Sequence, residues 1–357
     1  MKVKLTLEDG TVFYGKSFGA PVPTAGEVVF NTAMTGYPES LTDPSYRGQI
    51  LCLTYPLVGN YGAPAKSEEN DLLRFYESSS IHISGLIVSD YSFEYSHWNA
   101  TESLDEWLKR NKVPGVYGID TRALTKRIRE KGAMLGKLEP EGTETDFYDP
   151  NKVNLVAEVS TRERKVYGSG KYKIVLVDCG VKYNIIRNFL KRDTTIIRVP
   201  WDFDFNNEEY DGLFLSNGPG DPKMCGTTIE NIKKAFDTEK PIFGICLGNQ
   251  LMALASGADT YKLKYGHRSH NQPVLQVGTD KAYITSQNHG FAVDNKTLGA
   301  GWDPFFININ DQTNEGMKHK TLPFFSTQFH PEASGGPTDT DYLFDVFIEN
   351  IEKAKNK

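Results

Sequence analysis

The sequence predicts an α/β protein with a β-rich amino-terminal domain followed by a domain built on a doubly wound, mainly parallel sheet. Short alternating apolar runs, separated by turn residues, fill the first third of the chain and are typical of strands. From Lys173 onward, fully apolar runs alternate with amphipathic helical patterns, which indicates a parallel sheet covered on both faces. The length of 357 residues suits two domains.

The first domain begins with two alternating runs, Lys2–Leu7 and Thr11–Tyr14, joined by Asp9-Gly10, which is a strong hairpin signal. Asp120 is a plausible N-cap for the second of two helical patterns. The remaining predicted elements are strands at Val28–Phe30, Ile50–Tyr55 and Ile81–Val88 and helices at Ser103–Arg110 and Asp120–Glu130.

Between residues 139 and 172 the regular pattern is lost, and turn-rich and charged residues predict an inter-domain connection. The second domain then starts with the apolar run KIVLV. Its predicted helices are 181–191, 227–236, 248–255 and 341–354, and its further strands are 195–199, 212–215, 241–245, 282–286, 304–309 and 324–329.

Composition excludes several classes of function. Lys+Arg is 40 and Asp+Glu is 46, so the net charge of −6 argues against nucleic acid or an anionic membrane as partner. No apolar stretch approaches the roughly 18 residues of a membrane span. The amino terminus shows no signal or transit pattern, and four cysteines without a CxxC pair suggest a reducing compartment, so we expect a cytoplasmic protein.

The sharpest local signal is Gly244-Ile245-Cys246-Leu247-Gly248, which lies between an apolar strand and a helical pattern. A tight strand-to-helix turn of this form is a nucleophile elbow, here with cysteine as the exposed side chain. Flanking glycines avoid clashes, and the helix amino terminus favours a thiolate. The predicted fold class therefore includes a nucleophile elbow, although an isolated buried cysteine at a strand end would give a similar pattern.

A thiolate nucleophile needs a base, and His330 is the best candidate because it follows an apolar strand. Glu332 lies two residues further on, and residues i and i+2 of an extended chain share a face. The carboxylate could therefore orient the imidazole. The tripeptide His330-Pro331-Glu332 alone would also fit a surface loop.

Two other motifs offer polar groups without deciding a function. SNGPGD, at 216–221, could form an oxyanion-binding nest or simply a tight turn. SQNHGF, at 286–291, offers amide and backbone groups. No P-loop or dinucleotide fingerprint is present, and we predict no metal site, because His267 and His270 lack further ligands and are expected at the surface.

Together GICLGNQ, SNGPGD, SQNHGF and QFHPE resemble a class I, triad glutamine amidotransferase domain. The segment at 26–62, which contains TDPSY, resembles the amino-terminal domain of the carbamoyl phosphate synthetase small chain, also found in the multifunctional pyrimidine-pathway fusion protein. The resemblance implies a small-chain domain over 1–138, a connection over 139–172 and an amidotransferase domain over 173–357.

The resemblance implies a role for each matching residue. Cys246 would be the nucleophile, His330 the base and then acid, and Glu332 the orienter. Leu247 N–H and the loop at 218–220 would form the oxyanion hole. The implied glutamine-binding residues are Ser45, Gly218, Gly220, Leu247, Gln250, Asn288, Gly290 and Phe291.

The implied partners are L-glutamine and a large carbamoyl phosphate synthetase subunit or fused synthetase domain, which receives ammonia through an internal tunnel. The resemblance implies no cofactor in this chain, with ATP and a divalent metal expected only on the synthetase partner. The product could serve pyrimidine or arginine biosynthesis, and the sequence does not discriminate between these pathways.

One position departs from the family pattern, because Asn249 stands where the family usually has His. Asn249 could contact the first domain or the partner rather than glutamine, or it could be a tolerated substitution behind the glutamine site. Some ureagenic relatives lack the nucleophilic Cys and use free ammonia, whereas this chain keeps Cys246. Two alternatives stay open: another cysteine hydrolase, such as a γ-glutamyl peptidase, and a non-catalytic or weakly active regulatory scaffold of the same synthetase.

Overall fold

A computed structural model describes residues 1–356. The chain divides into two compact units, Met1–Val153 and a second unit that begins at Asn154. The helices of the first unit are α1 (Tyr37–Thr42), α2 (Leu104–Arg110) and α3 (Thr121–Lys131). Its strands are β1 (Lys2–Leu7), β2 (Val12–Gly19), β3 (Thr24–Asn31), β4 (Gln49–Leu53), β5 (Ala63–Pro64), β6 (Glu68–Glu69), β7 (Leu72–Leu73), β8 (Gly85–Ile87), β9 (Ala100–Glu102), β10 (Pro114–Tyr117) and β11 (Met134–Pro140).

The first unit is a closed barrel with strand order β1-β11-β3-β4-β8-β10-β2. The predicted hairpin is confirmed as β1 paired with β2. The predicted cap is also confirmed, because the Asp120 side chain accepts from Ala123 N. Helix α2 has in addition a capping box between Ser103 and Glu106, which was not predicted. Strand β11 was not predicted, yet it closes the barrel by pairing with both β1 and β3.

The second unit has helices α4 (Val156–Val159), α5 (Tyr183–Leu190), α6 (Gly226–Phe236), α7 (Leu247–Ala255) and α8 (Tyr342–Lys355). Its strands are β12 (Lys165–Tyr167), β13 (Tyr172–Asp178), β14 (Thr194–Pro200), β15 (Gly212–Leu215), β16 (Ile242–Ile245), β17 (Thr260–Gln276), β18 (Ala282–Val293), β19 (Trp302–Asn308), β20 (Asn314–His319) and β21 (Phe324–Thr327).

These strands form one ten-stranded sheet of order β12-β14-β13-β15-β16-β21-β20-β19-β17-β18. Strands β14, β13, β15, β16 and β21 are parallel neighbours, as predicted for the part that carries the elbow. The other half is antiparallel and is dominated by the long hairpin of β17 and β18. Strand β17 escaped prediction because its sequence is mostly polar and lacks an apolar alternation.

Aromatic side chains fill one face of the parallel half. Phe189 of α5 packs edge-on against Phe214, with ring centroids 4.9 Å apart. Phe344 and Phe347 of α8 pack against Phe243, edge-on and tilted, each with centroids 5.8 Å apart. Helices α6 and α7 belong to the aliphatic cluster on the opposite side. Both faces of the parallel strands are therefore covered, which explains their continuous apolar runs.

The stretch at 139–172, predicted as an inter-domain connection, contains regular elements of both units. The division between the units falls after Val153, and Lys165–Tyr167 joins the second sheet as its edge strand. Thr161 N donates to the buried Asp178 carboxylate at 2.6 Å. A three-residue edge strand with two exposed positions carries too little apolar pattern to be recognised from sequence.

Candidate active site

Cys246 lies at the junction between β16 and α7 with φ 55° and ψ −102°, a strained backbone for a non-glycine residue. A Cβ on Gly244 would lie 2.7 Å from the backbone of Gly248. A Cβ on Gly248 would lie 2.2 Å from the carbonyl oxygen of Leu215. Only glycine fits at either position, so the two glycines permit the sharp turn that presents the cysteine.

The turn is held in place by neighbouring strands. Cys246 N donates to Thr327 O at 2.7 Å, and the thiol approaches the carbonyl oxygen of Asn288 at 3.7 Å. Cys246 is 2% exposed, so its side chain is buried.

The two side chains of the predicted dyad are in contact. His330 Nδ1 lies 2.7 Å from Glu332 Oε1, and both side chains are buried. His330 Nε2 is buried and has no hydrogen-bond partner among residues 1–356. Because the carboxylate accepts from Nδ1–H, Nε2 is the nitrogen left for chemistry.

Sequence reasoning missed a buried cation at this dyad. Lys182 Nζ donates to Glu332 Oε1 at 2.9 Å, and the two side chains are 7% and 0% exposed. Asn184 also donates through its side-chain amide to the backbone carbonyl of Glu332. Lys182 and Glu332 are 150 positions apart in the sequence. No local pattern marks Lys182, because the sequence places it at the polar start of a predicted helix.

Charges around the dyad shift both pKa values. Burial disfavours the imidazolium, but the Glu332 carboxylate and the nearby Cys246 thiol raise the pKa of His330 to about 10, while Lys182 opposes the rise. Burial acts against the Glu332 carboxylate, but Lys182 and His330 lower its pKa to about 2. The dyad therefore holds an imidazolium beside a carboxylate at neutral pH.

Lys182 is positioned by the turn that follows β13. The buried Asp178 accepts from Gly180 N and Val181 N at 2.9 and 2.8 Å, and it also binds the guanidinium of Arg198. Lys182 N donates to Asn217 Oδ1 at 3.1 Å. The turn is thus tied to the SNGPGD segment.

The SNGPGD segment lies beside the elbow. A Cβ on Gly218 would lie 2.0 Å from Cys179 O and 2.8 Å from Leu247 Cδ2, so this loop can approach the elbow only with glycine. Leu247 is the first residue of α7, and its backbone N–H has no partner within the helix. Both predicted components of an oxyanion hole are therefore adjacent.

The residues predicted to bind glutamine fall into two groups. Gln250 donates to Phe291 O at 2.9 Å and to Gln328 Oε1 at 3.0 Å, and Asn288, Gly290 and Phe291 follow one another along β18 beside the thiol. Ser45 belongs to the first unit, where its backbone N donates to Asp43 Oδ1. Its role toward glutamine stays a prediction.

For Asn249, the structure favours a tolerated interior substitution over a contact with the partner. Asn249 is 0% exposed and lies in the interior of the second unit. Its amide donates to Gln328 Oε1 at 3.1 Å and accepts from Ser326 Oγ at 2.7 Å. Helical periodicity turns this residue toward β21, away from any surface on which a partner could dock.

The expectation for His267 is wrong. It is 8% exposed, and it lies with His289 and Glu315 in a buried cluster whose ligand-type atoms are all within 4.8 Å of one another. The further ligand types come from strands that were not predicted or were predicted too short, so no spacing in the sequence reveals them.

Comparison with known proteins identifies the family. Residues 5–138 match the family model described as carbamoyl-phosphate synthase small chain, CPSase domain, and residues 175–350 match glutamine amidotransferase class-I. The carbamoyl phosphate synthase arginine-specific small chain of Aspergillus niger is 48% identical, over 99% of this chain and 81% of that protein. The chain belongs to the carbamoyl-phosphate synthase small chain family.

Proteins much longer than this chain also contain a similar segment. Carbamoyl-phosphate synthase (ammonia), mitochondrial, of Aquarana catesbeiana is 55% identical over 98% of this chain and 24% of that protein. Multifunctional protein CAD of Squalus acanthias is 54% identical over 98% of this chain and 16% of that protein. The chain spans about a quarter or less of the length of these relatives.

A solved glutamine amidotransferase from Thermotoga maritima is 20% identical, covering 52% of this chain and 86% of that one with a TM-score of 0.39.

Within residues 1–356, every helix is too short or too polar to cross a membrane.

Proposed function

We propose that this chain hydrolyses L-glutamine to glutamate and ammonia through a cysteinyl thioester, and that it delivers the ammonia to a synthetase that makes carbamoyl phosphate from bicarbonate and ATP. The observation that carries the proposal is Cys246 on a strained elbow in the same buried site as the His330–Glu332 dyad. Family membership supports the same activity.

The first step is attack of the Cys246 thiolate on the side-chain carboxamide carbon of glutamine. The imidazolium favoured by the raised pKa of His330 stabilises the thiolate. The negative charge that develops on the carboxamide oxygen would lie against Leu247 N–H and the Gly218–Gly220 backbone. One well-placed oxyanion donor contributes roughly 3–4 kcal/mol to transition-state stabilisation.

The second step is departure of ammonia. The His330 imidazolium gives its Nε2 proton to the leaving nitrogen, which leaves a neutral imidazole and a glutamyl thioester. The neutral imidazole then takes a proton from water, which attacks the thioester carbonyl and releases glutamate. Glu332 holds the ring by Nδ1 throughout, so Nε2 faces the reacting atoms in both steps.

We propose a large synthetase subunit or fused synthetase domain as the partner. The sequence contains no P-loop motif, and hydrolysis of glutamine alone would waste the ammonia. ATP and the metal of the synthetase reaction are accordingly assigned to the partner. The relatives include proteins named for arginine and for multifunctional synthesis, so the proposal leaves both the arginine and the pyrimidine pathways open.

A second candidate is a weakly active or non-catalytic scaffold of the same synthetase. Two of the most similar relatives, at 55% and 53% identity, carry names that specify ammonia. This candidate predicts that the chain binds its partner but releases no glutamate. The presence of Cys246, His330 and Glu332 favours the catalytic proposal.

The deciding experiment measures glutamate release by the full chain and by Cys246→Ser, each with and without a synthetase partner. We expect slow release by the native chain, faster release with the partner, and background release by Cys246→Ser. Cys225→Ser is the matched control, since Cys225 is a second buried free thiol of the same unit. Background release by the native chain in both conditions would favour the scaffold.

The cytoplasm remains our proposal for the compartment. All four cysteines are free thiols, which supports a reducing environment, although several relatives are named as mitochondrial. Fractionation of cells that express the native gene would test it, and recovery of the chain in the mitochondrial matrix would refute it.

A further inference from the structure

Four hydrogen-bond acceptors converge in the interior of the antiparallel half of the second sheet. His267 of β17, Gln287 and His289 of β18, and Glu315 of β20 contribute one side chain each, and all four are buried. This cluster, which we call the His-Gln-His-Glu cluster, is not used by the proposed hydrolysis.

The outer contacts of the two histidines decide where their protons lie. His289 Nδ1 is 2.8 Å from Phe291 O, and a carbonyl oxygen can only accept, so Nδ1 carries the hydrogen. His267 Nε2 is 2.8 Å from the Asp311 carboxylate and carries its hydrogen for the same reason. In the neutral rings, the two inward nitrogens, His289 Nε2 and His267 Nδ1, therefore present lone pairs.

The inward nitrogens meet oxygens that are also acceptors. Gln287 Oε1 lies 3.0 Å from His267 Nδ1 and 3.1 Å from His289 Nε2. The amide orientation is fixed because Gln287 Nε2 donates to Thr285 Oγ1, whose own hydroxyl donates to Gln272 O. Glu315 Oε1 lies 3.3 and 4.0 Å from the same two nitrogens.

A single proton does not satisfy this arrangement. A proton on His267 Nδ1 would serve Gln287 and Glu315, but His289 Nε2 would still face the Gln287 oxygen lone pair. The second carboxylate oxygen, Glu315 Oε2, is also buried and accepts no hydrogen bond within residues 1–356. A cation among His267 Nδ1, His289 Nε2, Gln287 Oε1 and Glu315 Oε1 would satisfy these four acceptors at once. Glu315 Oε1 also accepts from Asn308 Nδ2 at 3.2 Å, which leaves a lone pair of this oxygen for the cation.

The dimensions match a tetrahedral divalent ion. Zinc bonds to nitrogen and oxygen of 2.0–2.1 Å give ligand-to-ligand edges of about 3.3 Å. Four of the six edges of the cluster, 3.0, 3.1, 3.3 and 4.0 Å, bracket this value, and the two histidine nitrogens lie within 4.8 Å of each other. A backbone carbonyl and a carboxylate on the outer ring nitrogens are the partners that metal-binding histidines usually have. The carboxylates of Glu315 and Asp311 would balance two positive charges.

We propose that the His-Gln-His-Glu cluster is a structural binding site for a divalent transition-metal ion of the zinc class, with His267 Nδ1, His289 Nε2, Gln287 Oε1 and Glu315 as its ligands. Four protein ligands leave no open position, which is typical of a structural rather than a catalytic site. The ion would join β17, β18 and β20 next to Asn288, whose carbonyl oxygen lies 3.7 Å from the Cys246 thiol. This site goes beyond the proposed hydrolysis and departs from the expectation of a metal only on the partner.

The test uses the untagged full chain carrying Cys246→Ser, so that zinc bound at the thiol is not counted. After treatment with a chelator, incubation with zinc chloride and removal of the excess, we expect about one zinc ion per chain by atomic emission. Free zinc about a hundredfold above its Kd should raise the melting temperature of the second unit by roughly 5–10 °C, and a chelator should reverse the shift.

Two variants and one control locate the ion. His267→Gln and Glu315→Gln should each lower the zinc content at least about tenfold. His270→Gln, on the same strand but outside the cluster, should keep it. The protein with the unchanged cluster decides the proposal, whether or not a variant folds. If it binds less than about a tenth of a zinc ion per chain and its melting temperature does not change with zinc, the proposal is overturned. Equal zinc content in the variants and the control would also overturn it.

Discussion

Removal of the Glu332 carboxylate tests whether the buried Lys182 and the dyad act as one charged unit. Glu332 Oε1 accepts from both Lys182 Nζ and His330 Nδ1, at 2.9 and 2.7 Å. Glu332→Gln keeps the size of the side chain but removes the charge that neutralises two buried cations. We therefore expect a large loss of stability in addition to a loss of activity.

The magnitude follows from burial. Removing one partner of a buried ion pair typically costs about 3–5 kcal/mol, because the other charge loses its compensation. With the side chains of Lys182 and Glu332 7% and 0% exposed, we expect Glu332→Gln to lower the unfolding free energy of the second unit by that amount. Lys182→Met should cost less, because Glu332 keeps the His330 imidazolium. The double variant should recover part of the loss, with a coupling energy of about 0.5–3 kcal/mol.

Urea unfolding of the four proteins, followed by the fluorescence of Trp201 and Trp302 in the second unit, measures this cycle. The exposed pair of Lys233 and Glu230, whose charged atoms are 2.6 Å apart, is the matched control. Its cycle should give less than about 1 kcal/mol. A Glu332→Gln loss below about 1 kcal/mol, with additive effects in the double variant, would refute the argument that these charges are coupled and desolvated.

Three further predictions follow from the same structure. Protonated His330 stabilises the folded chain, because its pKa is raised to about 10 in the structure. The unfolding free energy of the native chain should therefore exceed that of His330→Asn by its full amount below pH 6.5, and this difference should disappear as the pH rises toward 10. A difference that does not change with pH in urea unfolding would contradict the raised pKa. Asn249→His should lower the unfolding free energy by about 1–3 kcal/mol, because a larger ring replaces a fully buried amide bonded to Ser326 and Gln328. An altered response to the partner with unchanged stability would show instead that residue 249 acts at a surface. Ser45→Ala should raise the KM for glutamine about 2- to 12-fold, the equivalent of one net hydrogen bond, and an unchanged KM in steady-state kinetics would remove Ser45 from the site.

Local patterns in the sequence were enough for the elbow and the dyad. The glycines two residues before and after Cys246 indicate a tight turn, because a Cβ at either position would collide with the backbone. His330 and Glu332 are two residues apart, so their contact is a property of an extended tripeptide. Apolar runs likewise identified the parallel strands, since each run is buried on both faces.

The partners of these groups were decided only by the tertiary structure. Lys182 reaches Glu332 across about 150 residues of sequence, and the four members of the His-Gln-His-Glu cluster come from three strands of the antiparallel half. Asn249 is polar in sequence but turns inward because Ser326 of β21 and Gln328, just after that strand, supply its partners. Periodicity and turn chemistry describe neighbours within a few residues. A buried polar side chain depends instead on whichever distant strand brings a matching donor or acceptor, and this is fixed only when the sheet assembles.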